Sequence, residues 1–243
     1  MGSVKNATFY ILPALNEETS VAAVISGLKE VDPNGVVVVV DDASTDSTIL
    51  RAASQGACVL PLADQLGAWG AMQAGLRYAA EKRCARVVTL DADGQHLPAE
   101  IPKLLSAMDQ TGANVVIGAC AFRGSRLRRF AWRMMRGVSG ISAEDLTSGF
   151  RLYDRQAVDI LVSERASYLE QQDVGVLALL LRNNLKVVEV EVSMSPRAVG
   201  TSRIFSSWAK VCRYMLQTLL LGASKRGVQT VKLAKHQGAV IHD

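Results

Sequence analysis

The chain alternates between short apolar runs and longer stretches with helical spacing. ATFYIL (7–12), VVVVVD (36–41), CVLPL (58–62), RVVTLD (86–91) and NVVIGA (114–119) are rich in β-branched residues and bounded by turn formers. They predict buried strands. Between them EETSVAAVISGLKEV, STDSTILRAASQG, WGAMQAGLRYAAEKR and PAEIPKLLSAMDQ carry helical periodicity. The second of these opens on Ser44-Thr45-Asp46, suited to an N-cap. Such alternation predicts an α/β fold with a mostly parallel central sheet and helices on both faces.

The second half is less regular. DLTSGFRLYD (145–154) reads as a loop, DVGVLALLLR (173–182) as a buried helix and LKVVEVEVSM (185–194) as a half-exposed strand. RLRRFAWRMMRGV (126–138) and residues 204–226 have the pattern of basic amphipathic helices. The longest uncharged stretch of the latter, Tyr214 to Ser224, is too short to span a bilayer. No internal repeat or linker divides the chain. The expected organisation is one domain over residues 1–226, followed by a flexible tail over 227–243.

In parallel sheets ligands bind beyond the carboxyl ends of the strands. Polar residues recur there: Pro13-Ala14-Leu15-Asn16-Glu17 after the first strand, Asp41-Asp42-Ala43-Ser44-Thr45-Asp46 after the second, Asp91-Ala92-Asp93 after the fourth. Comparable clusters are missing from the amino ends. Asp91 and Asp93 lie one residue apart, so an extended backbone places both carboxylates on one side. Hard oxygens at that spacing suit Mg²⁺ or Mn²⁺ against a substrate diphosphate. The competing reading is a solvated turn. Gln95 and His96 either add ligands or close the turn.

Pro13-Ala14-Leu15-Asn16-Glu17 and Asp41-Asp42 suggest a nucleotide pocket, with carboxylates accepting from ribose or base edges, against the alternative that this region caps the two following helices, which competes for Ser44 and Asp46. Gly67, in LGAWGA, would allow a ligand to approach the backbone at a helix start. The segment lacks the GxGxxG spacing, so a dinucleotide cofactor is not supported.

Charge adds a second theme. The net charge of +4 hides six arginines without an acid between Arg123 and Arg136, and eight Lys or Arg between Glu191 and the next acid, Asp243. One surface is therefore expected to be strongly basic and to attract phosphorylated substrates, acidic lipid or nucleic acid. Four scattered cysteines without a CxxC pair, and an N-terminus without a signal-peptide pattern, point to a reduced, cytoplasmic protein.

Taken in order, ILPALNEE, VVVVDDASTD, LGAWGAMQAGL, VVTLDADGQHLP, DLTSGFRL and PRAVGTS resemble family 2 glycosyltransferases of the GT-A fold. The resemblance spans roughly residues 9–203 and is strongest to the branch of dolichol- and polyprenyl-phosphate sugar synthases. It implies that Pro13, Asn16, Glu17 and Asp42 hold the nucleotide, and that Asp91, Asp93 and Gln95 hold the divalent metal on the diphosphate. Arg151, Arg197 and Ser202 match positions near the acceptor or the phosphates, where a guanidinium suits phosphate. The implied reaction is inverting displacement at the anomeric carbon of a GDP- or UDP-linked sugar, onto a polyprenyl-phosphate-type lipid. A hydroxyl of a glycan or glycolipid is the alternative acceptor and would need a base. Asp173 is the candidate for that base, or else the N-cap of the apolar helix after it.

Two departures stand out. Trp69 occupies a position where relatives usually carry glycine, which would narrow the donor pocket, and Gly175 falls near a position where many carry glutamate. The transmembrane helices that follow the catalytic domain in some relatives are not expected here, so membrane contact is expected to be peripheral, through the two basic segments. The arginine run is alternatively a solvated face or a set of substrate-phosphate contacts. A non-catalytic nucleotide-sugar-binding module would keep the fold without turnover, a reading that Asp91, Asp93 and Arg151 oppose. A nucleic-acid binder lacks any recognised reading motif.

Overall fold

A computed structural model describes residues 7–120, 148–169 and 174–195, and the backbone of 234–236. An eight-stranded sheet runs through it in the order β3-β2-β1-β4-β6-β5-β7-β8. The strands are β1 (Thr8–Ala14), β2 (Val36–Asp41), β3 (Cys58–Pro61), β4 (Arg86–Thr89), β5 (Val115–Ala119), β6 (Arg151–Asp154), β7 (Val187–Glu191) and β8 (Ala234–His236). The helices are α1 (Val21–Val31), α2 (Thr48–Ser54), α3 (Gly67–Glu81), α4 (Ile101–Thr111), α5 (Arg155–Leu161), α6 (Glu164–Ser167) and α7 (Val174–Arg182). All neighbouring strands are parallel except β6, which runs antiparallel between β4 and β5.

Alternation along the strands builds two cores. Phe9 and Ile11 of β1 and Val38 and Val40 of β2 face a layer of α3, α5 and α7, with Met72, Leu76, Val158 and Leu177. Tyr10, Leu12, Val37 and Val39 face the opposite layer, where α1 and α4 supply Ile25, Leu28, Leu104 and Met108. A central parallel strand must be apolar on both sides, hence the unbroken valines of β2. Gly75 lets α3 lie close on the sheet, since a Cβ there would stand 2.4 Å from Ile11 Cγ2.

Three expectations need correcting. The loop expected over 145–154 ends in strand β6, which the charges of Arg151 and Asp154 and its four-residue length concealed. Its Leu152 and Tyr153 are fully buried. β7 is an interior strand between β5 and β8, so Glu189 is buried where a half-exposed strand was expected. β3 forms the sheet edge and is only half-buried, with Pro61 exposed, as suits a residue without an N–H to donate. The basic helix over 126–138, the basic helix over 204–226 and the tail over 227–243, apart from β8, lie outside the described residues. Among the described residues no helix is long and apolar enough to cross a membrane.

Candidate active site

The carboxyl ends of β1, β2 and β4 form one edge, as anticipated, and the loops leaving β1 and β2 are bonded to one another. Asn16 takes a left-handed backbone (φ 55°) after β1, and its Oδ1 accepts the Thr45 N–H at 2.8 Å. In return the Asn16 N–H donates to Ser44 Oγ, and the Glu17 N–H to Thr48 Oγ1. The Glu18 carboxylate accepts the Ser47 N–H, while the Glu18 N–H donates to Asp46. Ala43 is also left-handed (φ 60°), a conformation that costs a Cβ-bearing residue about 1–2 kcal/mol. Crossed hydrogen bonds hold the two loops in these shapes.

The N-cap of α2 is Ser47, not a residue of the expected Ser44-Thr45-Asp46, and its side chain makes no capping bond; Asp46, one residue earlier, accepts the Thr48 N–H at 2.9 Å. Burial by itself would raise its carboxyl, but hydrogen bonds from the Thr48 hydroxyl and from the Thr48 and Glu18 N–H groups outweigh that and hold it below the ordinary carboxylate value. Ser44, the other capping candidate, instead ties the β1 loop to the β2 loop.

Of the proposed nucleotide residues, Pro13 sits half-buried within β1 in register with Val40. The Glu17 carboxylate accepts the Ser20 hydroxyl at 3.1 Å. Asp42 is buried and uses both oxygens on the start of α3, accepting the Leu66 N–H at 2.6 Å and the Gly67 N–H at 2.9 Å. Gly67 adopts φ 76° there, which glycine tolerates without strain. Trp69, one turn in, points into the core with its indole N–H donating to the Ala166 carbonyl at 3.2 Å. Its bulk therefore fills the layer between α3 and α6 rather than narrowing the donor pocket.

The antiparallel direction of β6 decides what meets the β4 end. Because Arg151 pairs with Thr89, the Ser148-Gly149-Phe150 turn preceding β6 arrives at the same edge as Asp91. Thr89 Oγ1 donates to the Gly149 carbonyl at 2.8 Å, and Ser148 Oγ to the Gly118 carbonyl at 2.6 Å. Arg151 is fully buried, with Nε donating to the Ser148 carbonyl at 2.9 Å. Asp91 keeps 43% of its side chain exposed. Asp93 accepts the Gln95 backbone N–H at 3.0 Å and its side-chain amide at 2.7 Å. Ala92 and Asp93 lie in a turn rather than in the extended backbone expected of Asp91-Ala92-Asp93, and within it the Gln95 amide bonds Asp93. Among the described residues there is no cluster of three or more His, Cys, Asp or Glu that would hold a metal unaided. Asp173, Arg197 and Ser202 lie outside the described residues.

Residues 10–163 match the profile of glycosyl transferase family 2. The chain belongs to glycosyl transferase family 2. This glycosyltransferase is 31% identical over 212 residues to the undecaprenyl-phosphate mannosyltransferase of Micrococcus luteus, covering 80% of this chain and 86% of that protein. It is 28% identical over 219 residues to the polyprenol monophosphomannose synthase of Mycolicibacterium smegmatis, covering 82% of each. Its fold is that of the glucosyl-3-phosphoglycerate synthase of Mycobacterium tuberculosis, solved with Mn²⁺, UDP-glucose and phosphoglyceric acid. That structure superposes with a TM-score of 0.68 at 21% identity, over 90% of this chain and 80% of the other. The GT-A architecture expected from the motifs is therefore the architecture of the glycosyltransferase.

What the sequence left unassigned is His96, fully buried beside Asp91, and the closeness of Gly149 to that carboxylate. The adjacency of DLTSGFRL and DADGQH depends on the direction of β6, which no local pattern reveals.

Proposed function

We propose that this enzyme transfers a sugar from a nucleotide-sugar donor to a polyprenyl-phosphate acceptor, with inversion and with the help of Mg²⁺ or Mn²⁺. The observation carrying the reading is the open Asp91–Asp93–Gln95 turn beside the laced β1 and β2 loops. Likeness to two enzymes named for mannosyl transfer to polyprenol or undecaprenyl phosphate supports the acceptor class.

The donor set fits the metal. Two carboxylates and an amide are hard oxygen ligands, and their small number leaves positions for diphosphate oxygens and water, as Mg²⁺ prefers. Bound there, the ion would neutralise charge developing on the departing nucleoside diphosphate. Asp91, Asp93 and Gln95 would hold it; Pro13, Asn16, Glu17, Asp42 and Gly67 would shape the nucleotide side, with Asp42 acting through the turn it holds. A GDP- or UDP-linked sugar fits this reading.

In the reaction an acceptor phosphate oxygen forms the bond to the anomeric carbon. The bond from that carbon to the diphosphate breaks, and its electrons leave with the nucleotide. The phosphate oxygen is already ionised, so Asp173 is needed as a base only if the acceptor is a hydroxyl. We read Arg151 as anchoring the Ser148–Gly149 turn from within the sheet, and Arg197 and Ser202 as phosphate contacts. A lipid acceptor is met at a membrane surface, where the basic residues of 123–136 and 204–226 would each contribute about 1 kcal/mol of attraction.

The test is incubation with GDP- and UDP-sugars and short polyprenyl phosphates in Mg²⁺ or Mn²⁺, reading release of nucleoside diphosphate. The expected product is a sugar phosphate cleaved by mild acid and absent with Asp93→Ala. An acid-stable product would transfer the assignment to a hydroxyl acceptor, and turnover surviving Asp93→Ala would remove the metal role.

A further inference from the structure

We propose that His96 is a positioning residue that, together with the backbone at Gly149, sets the Asp91 carboxylate in place for its metal. This rests on the metal reading of the Asp91–Asp93 turn.

An imidazole is costly to bury unless its nitrogens are used, yet His96 has no exposed surface. Its Nδ1 accepts the Asp91 backbone N–H at 2.9 Å and stands 3.7 Å from Asp91 Oδ2. A nitrogen accepting an amide hydrogen carries no proton, so the ring's hydrogen sits on Nε2. The ring stacks on Phe150, with centroids 5.3 Å apart and planes at 19°. Phe150 is fixed in turn, its N–H donating to Ser148 Oγ while its ring packs on Gly118. The turn itself is pinned from the far side by a bridge between His96 and Met194 and by the Ser195 N–H donating to the Gln95 carbonyl at 3.0 Å.

The carboxylate has a second boundary. A Cβ on Gly149 would stand 3.2 Å from Asp91 Oδ1. Asp91 is thus held at its amide by His96 and crowded at its carboxylate by the Gly149 backbone, where an added Cβ would push the oxygen by a few tenths of an ångström, while the side chain stays exposed outward. Neither neighbour need be a ligand. Both restrict where the ligand oxygen points, the task by which outer partners tune metal sites.

Titration of the purified protein with Mn²⁺ alone, followed by loss of the free-ion EPR signal, tests this. His96→Phe keeps a ring on Phe150 and removes the acceptor; it is expected to weaken Mn²⁺ binding about 10–100-fold. His96→Asn can place its Oδ1 where Nδ1 was and should stay within about threefold of wild type, since the acceptor is retained. At subsaturating Mn²⁺ the donor KM of His96→Phe should rise and recover as Mn²⁺ is added. Wild-type affinity in His96→Phe overturns the proposal. Equal weakening by Phe and Asn also overturns it, because retaining the acceptor would then make no difference. If His96→Phe does not fold, Gly149→Ala decides: weakened Mn²⁺ binding is expected, and unchanged binding overturns the role. Wild-type protein that binds no Mn²⁺ removes the metal reading and this role together, an outcome distinct from the others.

Discussion

Replacing Asp42 by asparagine takes one carboxylate oxygen from a turn that uses both. The remaining oxygen can accept either the Leu66 N–H, now at 2.6 Å, or the Gly67 N–H, now at 2.9 Å. The new amide then faces the other N–H, donor against donor. Hydrogen bonds to a charged group contribute roughly 1.5–3 kcal/mol each, and the surviving bond, now neutral, falls to about half its strength. The expected cost is therefore about 2–4 kcal/mol. For a domain of this size each kcal/mol shifts Tm by about 2–4 °C, so the drop should be on the order of 5–15 °C. The assay is thermal melting of ligand-free protein, paired with the donor KM. A clamp on the start of α3 lowers Tm without any nucleotide present. If Asp42→Asn melts within about 2 °C of wild type while the donor KM rises, the carboxylate acts on the nucleotide alone and the clamp is refuted.

Gly75→Ala should lose stability by about 1–3 kcal/mol from overpacking, less a partial offset from helix propensity, because the new Cβ meets Ile11 and Val40; a urea midpoint at or above wild type would show that α3 can lift freely. Trp69→Phe should cost about 1 kcal/mol through the lost bond to Ala166 and leave the donor KM unchanged; a large change in KM would return Trp69 to the donor pocket. The Asp46 carboxyl is held below its ordinary value, so its stabilising contribution is present above pH ~3.9 and is lost as pH falls through the lowered folded value. Asp46→Asn should therefore be less stable than wild type at neutral pH, and urea midpoints of the two should converge in strong acid.

Much of the fold was legible because local patterns report it directly. The five valines of β2 announced a strand covered on both faces, and its predicted limits coincide with those observed. The helical spacing of 69–83 located α3 to within two residues at either end. β6 stayed hidden because four residues beginning with Arg and ending with Asp carry no usable period, and only the strands on either side make them a strand. The site divides similarly. Asp91 and Asp93 stood out through spacing alone, but the engagement of Asp42 with α3 and the burial of Trp69 depend on where the chain returns.

The alternation of apolar and polar positions, a property of neighbours in the chain, was enough to determine a parallel α/β sheet with acidic loops on its carboxyl edge, and the ordered motifs to determine the family. Tertiary structure alone decided that β6 runs antiparallel. That direction carries Ser148-Gly149-Phe150 to the Asp91 turn and sets His96 between Phe150 and the Asp91 amide. Strand direction and pairing are settled by contacts between residues some sixty positions apart, as with Thr89 and Gly149. No local periodicity records such contacts.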